Sequence, residues 1–387
     1  MEERIQLLFA LLRSVLSGEK LTLKQQNISR ENLDGLFGIS SDHDLAHLIF
    51  HALYKNSVIG KSDSCYAAFH QKQIMALYRY QQLNYEFISL CDILEKAEIP
   101  FIPLKGSVIR GYYPEPWMRT SCDIDILVRK EDTERAVAVL SDKCGYEYRG
   151  KSSHDISLYT PRKMHVELHY NLVEDGLANG ASEVLSQVWE TSQPCDGNNC
   201  RYKMTDEMFY FYHVAHMAKH FENGGCGIRA FIDLWLLDNS ECSDCRKREE
   251  LLEKGDLIRF AKAIQKLSRV WFDGETEDAL SQRLGEFIIN GGVFGSGENR
   301  IAVQQQKKGG KFRYVLSKIF LPFSELKYHY PILQKMPFLA PFMQVRRWLK
   351  LVFRGHGKRS LREIEISANV TRAEADGTKQ FLQQLGL

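Results

Sequence analysis

The run "CDIDILV", residues 122 to 128, sets Asp123 and Asp125 two residues apart inside an otherwise apolar stretch. Alternation with a period of two makes this a strand with both carboxylates on one face and Ile124 and Ile126 on the other. Such a strand requires a sheet with one buried apolar face and one polar face. Two neighbouring carboxylates repel each other, and burial penalises each of them, unless a positive charge lies between. A hard divalent cation, Mg2+ or alternatively Mn2+, supplies that charge through oxygen ligands.

A second alternating run, "HVELHY", holds Glu167 between Val166 and Leu168 and puts His165 and His169 on the face of Glu167. On a neighbouring strand Glu167 completes a carboxylate triad. Upstream, the short apolar strand "IPFIPL" leads into "KGSVIR". Gly106 permits close backbone approach to a ligand, and Ser107 at a helix start offers a hydroxyl and backbone N–H groups to a phosphate. Strand, Gly-Ser turn, helix and Asp-x-Asp strand together read as a device for an anion and a metal.

The rest of the chain is mainly helical. Residues 1–97 read as helices, including "SDHDLAHLIFHALYK" and the long aromatic-rich segment from Tyr66 to Leu94. His43, His47 and His51 share one helical face and read as ordinary packed or surface histidines rather than as a metal site. Residues 98–175 form an α/β core, residues 176–290 a helical region completing a cleft, and residues 291–387 a basic, mainly helical region. "INGGVFGSGEN" reads as a linker and lacks the Gly-Lys-Ser/Thr ending of a phosphate loop.

Charge and cysteine content limit the alternatives. The formal net charge is +2, yet residues 301–360 hold thirteen Lys or Arg and one acid, Glu325, which leaves the remainder acidic. This basic stretch favours an anionic partner, nucleic acid or acidic protein, or the body of the protein itself. Nine cysteines, an odd number, argue for reduced thiols and a cytoplasmic location. Zinc at Cys195, Cys200, Cys242 and Cys245 requires two distant pairs to converge, and loop cysteines are the simpler reading. No apolar run approaches the roughly 18 residues of a membrane span.

In order, these segments resemble the DNA polymerase beta superfamily of nucleotidyltransferases, whose signature is a Gly-Gly or Gly-Ser turn followed by Asp, an apolar residue and a second acid. Within it the chain is most similar to the bacterial family of uncharacterised nucleotidyltransferases. "PLKG", the "YYP" before Arg119, "DIDILV", "VELHY", "HMAKHF" and "GIRAFIDLWLL" fit that family's pattern across roughly residues 40 to 350. The resemblance implies an α+β fold, a small mixed sheet embedded in helical N-terminal and C-terminal regions. It implies Mg2+-dependent transfer of a nucleoside monophosphate from an NTP, ATP among the donors, to a hydroxyl or phosphate acceptor with release of pyrophosphate. The acceptor it suggests is a small molecule or a modified peptide.

Roles follow residue by residue. Asp123, Asp125 and Glu167 are the catalytic and metal-holding acids, with Glu167 helping to deprotonate the acceptor. Lys105, Gly106, Ser107 and Arg119 are the nucleotide and phosphate contacts. His169, His216, His220, Arg229 and Asp233 are candidates for the cleft. Arg229 and Asp233 also have the i,i+4 spacing of a plain intrahelical ion pair. Two other functions use the same features: a sugar-nucleotide glycosyltransferase holding its donor through Asp-x-Asp, and a catalytically silent binding module of this fold.

Overall fold

A computed structural model describes residues 2–22, 28–173, 179–195, 197–240, 243–293, 295–353, 363, 366–367 and 370–387. The chain forms two compact units, residues 1–219 with 227–293, and residues 220–226 with 294–387.

The first unit is an α+β structure built around a five-stranded mixed sheet. Its strands are β1 (Phe101–Pro103), β2 (Asp123–Val128), β3 (Glu147–Lys151), β4 (Asp155–Tyr159) and β5 (His165–His169), in the spatial order β1-β2-β5-β4-β3. β2 and β5 run parallel at the centre, and the other pairings are antiparallel. The alternation in "DIDILV", "DISLY" and "HVELH" directs Ile124, Ile126, Val128, Ile156, Leu158, Val166 and Leu168 to one side. There they pack on Leu83, Leu90, Cys91 and Leu94 of α4 (Tyr66–Lys96), and on Ala136 and Leu140. Burial of each such Ile, Val or Leu contributes about 1.5–3 kcal/mol, so a one-residue slip of β2 would expose its apolar set and bury its acids.

Helices surround the sheet. α1 (Glu2–Leu16), α2 (Arg30–Asp42) and α3 (Ala46–Lys55) precede α4. The short α5 (Gly106–Ile109) follows β1, and α6 (Thr133–Ala138) passes into a π-helical turn, Val139–Lys143, where the sequence predicts one continuous helix. After α7 (Asn179–Ser186) and α8 (Val188–Thr191) come α9 (Asp206–Phe221), α10 (Ile228–Asp238), α11 (Cys245–Lys254), α12 (Ile258–Phe272) and α13 (Ala279–Ile289).

The three N-terminal histidines fasten the first unit together. Ile228 N–H donates to His43 Nδ1, which leaves His43 Nε2 to donate to the Ile289 carbonyl at 3.1 Å. His47 Nε2 donates to the Met118 carbonyl at 2.9 Å, and His51 Nδ1 pairs with Gln73. Of the four cysteines weighed for zinc, Cys242 lies outside the described residues. Cys195, Cys200 and Cys245 carry free thiols and belong to none of the metal-competent clusters among the described residues.

The second unit is helical: α14 (Gly297–Lys307), α15 (Lys311–Ile319), α16 (Phe323–His329), α17 (Ile332–Lys335), α18 (Ala340–Phe353) and α19 (Arg372–Leu385). One small core gathers Ile301, Ala302, Tyr314, Val370 and Ala375; another gathers Leu326, Tyr330 and Leu333. No helix among the described residues is long and apolar enough to cross a membrane.

Candidate active site

The central parallel pair fixes the site. Asp123 lies opposite His165, Asp125 opposite Glu167 and Leu127 opposite His169. β4 adds Ser157 opposite Glu167 and Asp155 opposite His169. The alternation that buries the isoleucines therefore gathers the carboxylates of Asp123, Asp125, Glu167 and Asp155 and the imidazoles of His165 and His169 on the other face of the sheet. Two overlapping clusters result, Asp123 with His165 and Glu167, and Asp125 with Glu167 and His169; within each, the ligand atoms lie within 4.8 Å of one another.

Lys105 enters from the edge. Leu104 N–H donates to the Asp125 carbonyl at 3.0 Å, so the chain leaving β1 stays against β2. The next residue, Lys105, takes φ 43° and ψ −121°, a left-handed conformation costing about 1–3 kcal/mol for a non-glycine residue. Its Nζ lies 2.8 Å from Asp125 Oδ1 and 3.8 Å from Glu167 Oε2. His169 Nε2 lies 3.0 Å from the same Asp125 oxygen and 3.5 Å from Glu167 Oε2. A carboxylate only accepts, so His169 Nε2 carries the hydrogen.

The two aspartates consequently differ. Burial opposes ionisation of Asp125, but Lys105 and His169 outweigh it and hold this carboxyl far below the usual range. Asp123 shifts upward, through burial first and then through the charges of Asp125 and Glu167. Burial also disfavours the Lys105 ammonium, yet Tyr212, Asp125 and Glu167 hold it charged well beyond the usual lysine range. At neutral pH the carboxylates do this, because burial raises the Tyr212 phenol and keeps it neutral. His169 is raised as well: burial opposes its charge, and its bonds to Asp125 and Glu167 prevail.

The Gly-Ser turn differs from the expected anion cradle. Ser107 N–H donates to the Leu104 carbonyl and Val108 N–H to the Lys105 carbonyl, so the turn itself consumes the N–H groups expected to face a phosphate. The reason is length: α5 has four residues, and its bonds close on the turn. Gly106 serves close approach instead, since a Cβ there would meet Ser121 Cβ and Oγ at 3.1 Å. Arg110 clamps this contact, donating from Nε to the Gly106 carbonyl at 2.6 Å and from Nη2 to Ser121 Oγ at 2.9 Å.

Arg119 is committed to a partner other than a ligand. Its Nε lies 2.8 and 2.9 Å from the two oxygens of Asp233 on α10, and its Nη1 donates to the Thr120 carbonyl. Tyr113 Oη donates to Asp233 Oδ1 at 2.7 Å. Arg229 does not pair with Asp233 along the helix; it reaches Asp44 Oδ2 at 2.9 Å and Thr120 Oγ1 at 3.1 Å. The i,i+4 pair is thus replaced by two tertiary pairs, because α10 packs beside residues 119–120 that lead into β2. Asp233 and Arg229 hold that segment in place.

α9 contributes what the sequence reading omitted. Tyr212 is coupled electrostatically to Lys105, Asp125, Glu167 and Asp123, and Lys219 to Lys105, Glu167 and Asp155. Burial and then the Lys105 charge bring the Lys219 ammonium down to about 8. His216 stands beside Tyr212, ring centroids 6.2 Å apart, while His220 belongs to the second unit. The signal was available: Tyr212, His216 and Lys219 fall at i, i+4 and i+7 on one helical face.

The Asp123 cluster, partly exposed, offers two carboxylates and the His165 imidazole, a donor set that fits a divalent cation; in the second cluster His169 presents an N–H, so Asp125 and Glu167 are its donors. A family model described as an uncharacterised nucleotidyltransferase matches residues 29–273, well over half of the chain. Comparison with curated proteins and with solved structures gave no match.

Proposed function

The chain belongs to the uncharacterised nucleotidyltransferase family, and from that premise we propose that it transfers a nucleoside monophosphate from an NTP to a hydroxyl or phosphate acceptor. The observation that carries this reading is the register of β2 on β5, which sets Asp125 against Glu167 with Asp123 one step along the same face. Asp123, Asp125 and Glu167, with His165 and His169 beside them, are the residues that would hold Mg2+ or Mn2+. When bound, such a cation neutralises triphosphate charge and polarises the reacting phosphoryl group.

The protein's own groups supply the remainder. Glu167 is half-buried and accepts the proton of the acceptor hydroxyl, whose oxygen bonds to the α-phosphorus as the bond to pyrophosphate breaks. Lys105 balances negative charge where carboxylates and phosphates meet. The Arg119–Asp233 pair positions the loop before Asp123. A small molecule or a modified peptide is the acceptor class we favour.

One observation favours a second reading. The Lys105 ammonium, 2.8 Å from Asp125 and 3.8 Å from Glu167, already supplies positive charge between the two strands. That arrangement would suit a module that holds nucleotide without turnover.

Thermal unfolding with each NTP, with and without Mg2+ or Mn2+, followed by a pyrophosphate-release assay across acceptor pools, tests both. The enzyme reading expects a metal-dependent shift and release, both lost in the Asp123→Ala, Asp125→Ala double variant. Nucleotide binding that ignores metal and the double variant, with no release, would establish the silent module instead.

A further inference from the structure

Among the described residues, ten of the seventeen large apolar side chains that stand exposed fall between Phe312 and Leu349, about a tenth of the chain. Residues 311–350 hold eight Lys or Arg and one acid. A basic helical subdomain is expected to turn its apolar side chains inward and lay its cations over them. Along α18 one apolar row instead faces outward, while Arg346 and Lys350 lie 6.0 and 5.6 Å from the Tyr330 ring centroid.

One side of α18 is anchored. Gln344 donates to the Leu321 carbonyl, Arg347 to the carbonyls of Lys318 and Ile319, and Trp348 Nε1 to that of Ile319. Met343 packs on the core of Leu326, Tyr330 and Leu333. The opposite side presents Phe342, Val345 and Leu349 at i, i+3 and i+7, with Phe338 one turn earlier, at exposures of 67, 48, 53 and 70%. Arg346 and Lys350 stand exposed directly beside this stripe. Pro337 and Pro341 lie at or before its first turn, where proline does not break a helix.

We propose that the α18 stripe docks in the headgroup region of an anionic phospholipid membrane, with Phe338, Phe342, Val345 and Leu349 in the acyl boundary and Arg346 and Lys350 at the lipid phosphates. Charge complementarity selects this occupant: an apolar stripe bordered by cations, in a segment with a single acid, is the pattern of a helix lying in the membrane plane. α18 is too short to span a bilayer, which is consistent with in-plane binding. The half-buried Trp348 is a residue type enriched at such interfaces.

Co-sedimentation of the full chain with phosphatidylcholine vesicles, with and without phosphatidylserine, tests the proposal. The expected result is binding to the phosphatidylserine vesicles that weakens as salt rises. Phe342→Ser with Leu349→Ser lowers the affinity about tenfold or more. Arg346→Gln with Lys350→Gln lowers it by a similar factor. All four side chains are exposed, so the serine pair keeps the parent unfolding temperature, and the glutamine pair, which gives up only the exposed contacts of Arg346 and Lys350 with the Tyr330 ring, lowers it slightly. Absence of binding to anionic vesicles overturns the proposal, as does binding indifferent to both double variants. Concentration-dependent self-association abolished by the serine pair, without vesicle binding, would make a second copy the occupant. Retention of single-stranded RNA with no vesicle binding would transfer the surface to nucleic acid.

Discussion

Lys105 Nζ lies 2.8 Å from Asp125 Oδ1, joining the turn after β1 to the central strand and reaching Glu167 on the next strand at 3.8 Å. The ammonium therefore occupies the carboxylates that a divalent cation bound there would use, and the proposed function expects the two to compete. Lys105→Met removes the competitor. Without metal the variant should lose about 2–3 kcal/mol, less than a fully enclosed pair would, because the lysine side chain keeps 21% exposure. Mn2+ or Mg2+ should then raise its unfolding temperature more than it raises the parent's. Lys105→Gly isolates the backbone contribution, since glycine accepts the left-handed conformation without strain. A metal response equal in parent and both variants would show that Lys105 does not compete.

Asp123→Asn and Asp125→Asn should separate stability from turnover. Asp125 is bonded by Lys105 and His169, so its neutralisation leaves the half-buried ammonium and the buried imidazole without their charged acceptor and should cost about 3 kcal/mol. Asp123 lies among like charges, and its neutralisation should leave stability unchanged or raise it slightly. Both should reduce nucleotidyl transfer by on the order of a hundredfold or more. Urea unfolding with single-turnover kinetics on each variant measures the two effects independently.

Asp233 gives a pH dependence with a definite sign. Burial alone would raise its carboxyl, but Arg119, His213 and Tyr113 prevail and depress it in the folded state. A depressed carboxyl stabilises the fold above its unfolded pKa of about 3.9 and loses that contribution as pH falls through the folded value. Acid unfolding of the parent should therefore steepen below about pH 4. Asp233→Asn should flatten that acid limb and lower stability at neutral pH by about 2–4 kcal/mol. An unchanged acid limb in the variant would refute the assignment.

Gly106→Ala tests the turn by packing alone. A Cβ at this position meets Ser121 at 3.1 Å, close enough that the two segments must separate by a few tenths of an ångström. The expected cost is about 1–2 kcal/mol. Adding Ser121→Gly should recover only part of it, since that removes the colliding side chain but also the acceptor of the Arg110 Nη2 bond. Failure of the second change to rescue the first would place the strain elsewhere.

Much of the candidate site lay in local pattern. The period of two in "DIDILV" and "HVELH" was enough to assign Asp123, Asp125 and Glu167 to the faces they occupy, and the helical periodicity of Tyr66–Lys96 and Ile228–Asp238 was equally plain. Side-chain partnership was not available at that level. Arg119 read as a phosphate contact and Arg229 with Asp233 as cleft residues or an intrahelical pair, yet α10 brings Asp233 to Arg119 across 114 residues. Adjacent acids also suggested that neutralising Asp125 would relieve repulsion; Lys105, twenty residues upstream, reverses the sign.

By itself the sequence determined which side chains share a face, because strand and helix periods are set by the backbone. Only the tertiary structure decided which faces meet and hence which charges are paired. A buried carboxylate's energy depends on the donors within a few ångström of it, and here those donors come from distant segments: Lys105 and His169 for Asp125, Arg119 and Tyr113 for Asp233.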